Sequence, residues 1–206
     1  MHAIRKIAPL LAACVLCASC VGVDSHLSVR PDGSGTLHLD YRVSRLVADL
    51  GTSTSDQGSV PLPLSRDDFQ QAVAGTQGKV RLTHFDRSQN DKDILVHATL
   101  EFASLDALAR VNAFRDAQLE LTTTGSTHTF SQLVARSPSR PISADSLAMV
   151  DSFFGDYSLT FSIQTPSPIT SSSLGTLSSD KRTLTYTTTV RDLLSATKDV
   201  TMTASW

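Results

Sequence analysis

The stretch Ile94-Leu95-Val96-His97-Ala98-Thr99-Leu100-Glu101-Phe102 decides the fold. Ile94, Val96, Ala98, Leu100 and Phe102 occupy every second position, and Leu95, His97, Thr99 and Glu101 fill the places between. A period of two sends alternate side chains to opposite faces of an extended chain, whereas a helix repeats its apolar residues at about 3.6. The segment is therefore a strand with one face in a core and the other in water. Strands buried on both sides, as in parallel sheets, are nearly continuously apolar, so the pattern predicts an antiparallel, half-solvated sheet.

The same rhythm recurs along the chain. Leu37, Leu39, Tyr41 and Val43 alternate with Thr36, His38, Asp40 and Arg42. Tyr157, Leu159, Phe161 and Ile163 alternate with Ser158, Thr160 and Ser162, and Val200, Met202, Ala204 and Trp206 with Thr201, Thr203 and Ser205. Turn residues separate the strands. Pro31-Asp32-Gly33-Ser34-Gly35 divides 25–30 from 36–44, and glycine supplies the positive φ that a tight connection needs. Asn90-Asp91-Lys92 joins 79–88 to 93–103, and Thr124-Gly125-Ser126 joins 117–123 to 127–135. A longer Ser/Pro loop from Thr165 to Asp180 links 157–164 to 182–190.

Helices follow these hairpins. Ser65 with Asp68 three residues on reads as a capping box ahead of Phe69, Ala72 and Val73. Ser104 or Leu105 opens a second helix with Leu105, Leu108 and Val111 on one face, and Ser143 opens a third that stops at Gly155. Shorter turns are expected at Arg45–Leu50 and Arg191–Ala196. Hairpin-then-helix thus recurs near 25–75, 79–114, 117–155 and 157–196. The expected fold class is α+β: a curved antiparallel sheet built from hairpins, with helices packed on one face.

Composition limits the function classes. With 40% hydrophobic and 18% charged residues, the 206-residue chain is globular and not disordered. Its 18 basic and 20 acidic residues leave no cationic surplus for nucleic acid. Only two glutamates occur, Glu101 and Glu120, which with abundant Ser and Thr favours strands over long exposed helices.

The first twenty residues have a separate logic. Arg5 and Lys6 precede Ile7–Ser19, a run without charge. A spanning helix needs about 20 apolar residues, so this run is short for a membrane anchor and reads as a secretory signal. All three cysteines, Cys14, Cys17 and Cys20, lie in the first twenty residues. The arrangement resembles a bacterial lipoprotein precursor, whose lipobox ends in a cysteine that is lipidated and becomes the new N-terminus. Two placements compete. Leu11-Ala12-Ala13-Cys14 has the usual lipobox residues but a short core, whereas Cys17-Ala18-Ser19-Cys20 follows a full-length one. Lipidation is assigned to Cys20, since cleavage at Cys14 would leave two spare thiols. The chain then divides into a signal peptide, 1–19, and one extracytoplasmic domain, 20–206. Losing Arg5 and Lys6 leaves 16 basic residues against 20 acidic ones, a net charge of −4. No other cysteine remains for a disulfide or a thiolate metal site.

The mature chain also resembles the LppM-type lipoprotein family. The similarity lies in the signal ending in cysteine, the strand before Asp32-Gly33-Ser34-Gly35, the Arg45-Leu46-Val47 start, and the closing strand Val200 to Trp206. The resemblance implies an envelope lipoprotein whose sheet-rich domain handles lipids, carrying more than one acyl chain such as palmitate at the cysteine. It supplies no catalytic residues. Members often continue into a C-terminal membrane helix, which this sequence does not contain.

Catalytic and metal chemistry has little support. His26, His38, His84, His97 and His128 show no H-x-H, H-x-x-H or H-E-x-x-H spacing. His38 and His97 belong to the solvated face and would approach one another only if their strands were neighbours. No G-x-S-x-G elbow exists, and Gly33 and Gly35 precede a strand, so no helix N-terminus is offered to a phosphate. Asp67-Asp68 suits a helix first turn, and Asp91 and Asp93 a solvated turn. No catalytic residue, metal ligand or cofactor is assigned.

One helix exceeds a simple packing face. Besides Leu147, Val150 and Phe154, the helix 143–154 carries Met149 and Phe153 on a flank. Either it is wedged between sheet and loops, or that flank lines a cavity rimmed by the loops 52–64 and 165–180. Flexible Met and large Phe suit an adaptable ligand surface, so Met149 and Phe153 are the candidate ligand-binding residues. The expected function is non-enzymatic binding of a lipid or other amphiphile at a membrane, facing the periplasm or the cell exterior. The alternative is a structural or protein-interaction module with an envelope protein as partner.

Overall fold

The computed structural model describes residues 21–45 and 62–206. Within them β1 (Val21–Val29) and β2 (Gly35–Ser44) form the first hairpin, and β3 (Val80–Gln89) and β4 (Asp93–Phe102) the second. A third joins β5 (Glu120–Thr124) to β6 (Thr127–Ala135), and β7 (Ser158–Gln164) pairs antiparallel with β10 (Thr183–Thr189). β8 (Ser171–Ser172) and β9 (Thr176–Leu177) lie inside the Ser/Pro loop, and β11 (Val200–Ser205) comes last. The class is α+β, as the alternation predicts, with eleven strands and five short helices among the described residues.

The strands divide into two sheets, one of order β3-β4-β2-β1-β7-β10-β9 and one of order β5-β6-β11-β8. All pairings are antiparallel except β1 with β7, where Leu27 meets Ile163 and His26 meets Ser162 in parallel register. The intervening chain between these two strands provides the long crossover that a parallel pair requires. Ser25, level with buried Leu39, interrupts the apolar alternation of β1, which is why that strand reads as shorter than it is.

The inner face of the large sheet carries Leu27, Leu37, Leu39, Val96, Leu100, Ile163 and Leu184, all buried. Phe130, Met202, Ala204 and Trp206 of the small sheet join them in one continuous core. Helix α1 (Arg66–Ala74) adds Phe69, and α2 (Leu105–Ala109) adds Leu105 and Leu108. Ser65 caps α1: its hydroxyl accepts from the Asp68 N–H at 3.1 Å, and the Asp68 carboxylate accepts from the Ser65 N–H at 2.9 Å. The second expected helix breaks at Val111, whose extended backbone (ψ 125°) carries its side chain into the core before a 3-10 helix, Asn112–Ala117. Helix α3 (Ala144–Phe154) and α4 (Val190–Leu194) pack on one another.

Two polar details tie loops to this frame. Tyr41, buried in β2, donates its hydroxyl to the Pro63 carbonyl; burial, with the Asp68 charge nearby, pushes that hydroxyl far above the ordinary phenol range. In the β1–β2 turn the Ser34 hydroxyl and N–H both donate to Asp32, at 2.7 and 3.0 Å, and hold its carboxyl below the usual carboxylate range. The expected signal with Cys14 and Cys20, the expected helical turn beyond Arg45 and the stretch to residue 61 lie outside the described residues.

Candidate functional site

Two of the hollows formed by the described residues bear on function, one between the sheets and one on the solvated face of the large sheet. The first is a crevice of about 480 Å³ between the two sheets. Phe161 of β7 forms one wall; Leu133, Val134 and Ala135 of β6 form the other, and Ala117 closes it from the end of the 3-10 helix. Asp116, Gln132 and Arg136 also line it.

Local sequence explains this shape. β6 pairs Leu133 with Thr201 and Ala135 with Val200, so Val134 has no counterpart on β11. Such a bulge bends the strand and breaks the period-two rule, which lets neighbouring apolar residues serve one wall. Gln118 adopts a left-handed conformation (φ 44°) that ends the 3-10 helix, and β5 begins at Glu120. Phe161 stands in register with Ser25 and Tyr186, and the small serine leaves the ring half-buried. Arg136 is exposed and belongs to none of the ion pairs among the described residues, which are Arg81–Glu101, His97–Asp40 and Arg191–Asp151.

The second hollow, about 300 Å³, lies on the solvated face of the large sheet over Gly22, Asp24, Asp40, Arg42, Leu95 and His97. Here β2 and β4 are neighbours, the condition for His38 and His97 to approach. Each nevertheless bonds across to a different residue: His38 Nδ1 to Thr99 Oγ1 at 3.1 Å, and His97 Nδ1 to Asp40 Oδ1 at 2.5 Å. Among the described residues no three His, Cys, Asp or Glu side chains are grouped so as to hold a metal ion. His26 Nδ1 lies 2.8 Å from Ser162 Oγ, but that hydroxyl donates to the Ser25 carbonyl at 3.3 Å.

Of the two candidate ligand residues, Met149 is 53% exposed on α3 and lines neither hollow. The side chain of Phe153 lies outside the described residues. On the same helix Val150 is buried, and Leu147 and Phe154 are half-buried. The crevice residues were legible only in part: Leu133-Val134-Ala135 is an apolar triplet that departs from alternation, and that departure is the signal of the bulge.

The fold has a counterpart among solved structures. It is similar to the NMR structure of the folded domain of LppM from Mycobacterium tuberculosis, with a TM-score of 0.53 and 14% sequence identity over 91% of this chain and 90% of that one. No family model matches the sequence, and no curated protein does. No described helix is long and apolar enough to cross a membrane.

Proposed function

We propose that the protein is an envelope lipoprotein, tethered to a membrane by lipid on Cys20 and facing the periplasm or the cell exterior. Its body binds a lipid or other amphiphile and performs no catalysis. The observation that carries the ligand reading is the crevice between the sheets, with Phe161, Leu133, Val134 and Arg136 in its lining. Its volume of about 480 Å³ falls within the range of small-molecule sites. An acyl chain against those walls gains about 25 cal/mol for each Å² removed from water, while a polar head stays at the wet margin. The crevice is the seat proposed for that ligand, on the strength of its lining.

The anchor follows from the N-terminal signal. Two acyl chains make membrane attachment stable, because each buried CH₂ contributes about 0.8 kcal/mol. The fold likeness to the LppM domain supports an envelope lipoprotein as the setting. Native mass spectrometry of protein extracted from membranes tests the ligand: a copurifying amphiphile is expected, reduced in Phe161→Trp, where a larger ring fills the crevice. A ligand-free mass at every charge state defeats the binding reading.

A further inference from the structure

We propose that His26 and His38 form a two-imidazole site for a late transition-metal ion, copper(II) foremost, on the solvated face of the β1–β2 hairpin. The two residues are level with one another across the antiparallel pair. Their rings stand 6.4 Å apart, centre to centre, with the planes 34° apart. Each ring is held from its far side. His38 Nδ1 lies 3.1 Å from Thr99 Oγ1 on β4, and His26 Nδ1 lies 2.8 Å from Ser162 Oγ on β7. The sheet order runs β4-β2-β1-β7, so the two Nδ1 atoms are drawn away from each other. Nδ1 and Nε2 occupy opposite flanks of an imidazole, and the Nε2 edges therefore turn toward the gap between β1 and β2. Neither Nε2 has a hydrogen-bond partner among the described residues.

The spacing suits one ion. A metal about 2.1 Å from an imidazole nitrogen lies about 3.2 Å from the ring centre. Two rings on opposite sides of the ion then stand about 6.4 Å apart, and two at a tetrahedral angle about 5.2 Å. The observed separation matches the first arrangement, which belongs to tetragonal copper(II) and nickel(II) and not to tetrahedral zinc(II). Copper(II) also stands highest among divalent first-row ions in its affinity for such ligands. The flanking hydroxyls complete the chemistry. With the proton on Nδ1, Thr99 and Ser162 accept from the rings and each Nε2 lone pair is left to the ion, so metal binding selects that tautomer. Charge agrees: Asp24 and Asp40, level with each other and exposed, occupy the next positions on the same face of β1 and β2. Asp40 is bonded to His97, and Arg42, farther along β2, is engaged with the Asp156 carbonyl and the Tyr157 ring. Ser28 and Thr36, on the other side of the pair, are neutral. No third His, Cys, Asp or Glu side chain joins the two rings among the described residues, so water takes the remaining positions.

Titration of the membrane-extracted protein with copper(II) chloride provides the test. Electron paramagnetic resonance at one equivalent should show a tetragonal signal with superhyperfine splitting from imidazole nitrogen. His26→Gln and His38→Gln should each weaken binding at least about tenfold, since even losing a partner behind a metal ligand costs about 10–100-fold. His84→Gln is the control: His84 is exposed on β3, level with Thr99, and its loss should leave the affinity unchanged. Nickel(II) should bind the same pair more weakly than copper(II), and magnesium(II) not at all. Copper bound equally by the parent and both variants overturns the proposal, because it then sits on other groups. Equal loss in His84→Gln, or zinc(II) held more tightly than copper(II), also overturns it. A reading on the parent alone needs no variant to fold. Substoichiometric copper(II) should broaden the imidazole proton resonances of His26 and His38 before those of His84 and His128, and uniform broadening or the reverse order refutes the site.

Discussion

Replacing Phe161 by Ala separates binding from folding. The ring is half-buried between the sheets and packs against the core while forming one wall of the crevice. Truncating a fully buried Phe costs about 3–5 kcal/mol, so a half-buried one costs about 2 kcal/mol. For a domain of this size that lowers Tm by about 4–8 °C. The ligand loses contact with about 80 Å² of ring face, another 2 kcal/mol or so at about 25 cal/mol per Å². That corresponds to a roughly thirtyfold weaker Kd. The control is Val80→Ala: Val80 is 2% exposed beside α1, away from the crevice, and losing two methyl groups costs about 1.6 kcal/mol. Titration with N-phenylnaphthylamine, read by its fluorescence gain, should show weakened binding in Phe161→Ala and native binding in Val80→Ala, with similar thermal shifts. Equal binding in all three proteins, or equal loss in both variants, refutes the assignment of the ligand to the crevice.

Three further outcomes follow from the frame. Ser65→Ala removes one half of the α1 capping box and should cost about 1 kcal/mol by urea denaturation, with the m-value unchanged. Gly35→Ala should be far worse, more than about 4 kcal/mol or no soluble protein, because the added carbon would sit 1.9 Å from the Ser28 carbonyl oxygen and 2.5 Å from the Phe102 ring; a variant within 1 kcal/mol or so of the parent would refute that packing. For Tyr41, burial raises the hydroxyl pKa in the folded state, so its contribution is complete below about pH 10, the unfolded value, and is lost as pH rises above it. Tyr41→Phe should therefore lose about 1 kcal/mol at neutral pH with the bond to Pro63, and show a shallower fall in stability above pH 10 or so.

What the sequence makes legible here is facing, and what it conceals is partnership. The alternation in β2, β4, β7 and β11 identifies inward residues correctly, because burial of one face is a local property of each strand. Ser65 with Asp68, and Asp32 through Gly35, likewise specify a cap and a turn from within a few residues. The parallel pairing of β1 with β7 is a different kind of fact. His26 meets Ser162 across 136 positions of chain, and nothing in either strand's alternation specifies that neighbour. The division into two sheets is concealed for the same reason: nothing within β5 and β6 says that their neighbour is β11 and not a strand of the large sheet. The crevice depends on both omissions, since Phe161 reads as an ordinary core residue until the small sheet is placed opposite it. Met149 shows the converse: an apolar flank residue, read as wedged or as lining a cavity, is 53% exposed.

The account depends most on a covalent event at the N-terminus, and intact-mass measurement of the membrane-extracted protein examines it directly. It predicts a chain beginning at Cys20 whose mass exceeds the polypeptide by at least two acyl groups, and a Cys20→Ser variant recovered as an uncleaved precursor or released from the membrane. A chain that retains Met1 and carries no fatty acid, found in the cytosol, would contradict it.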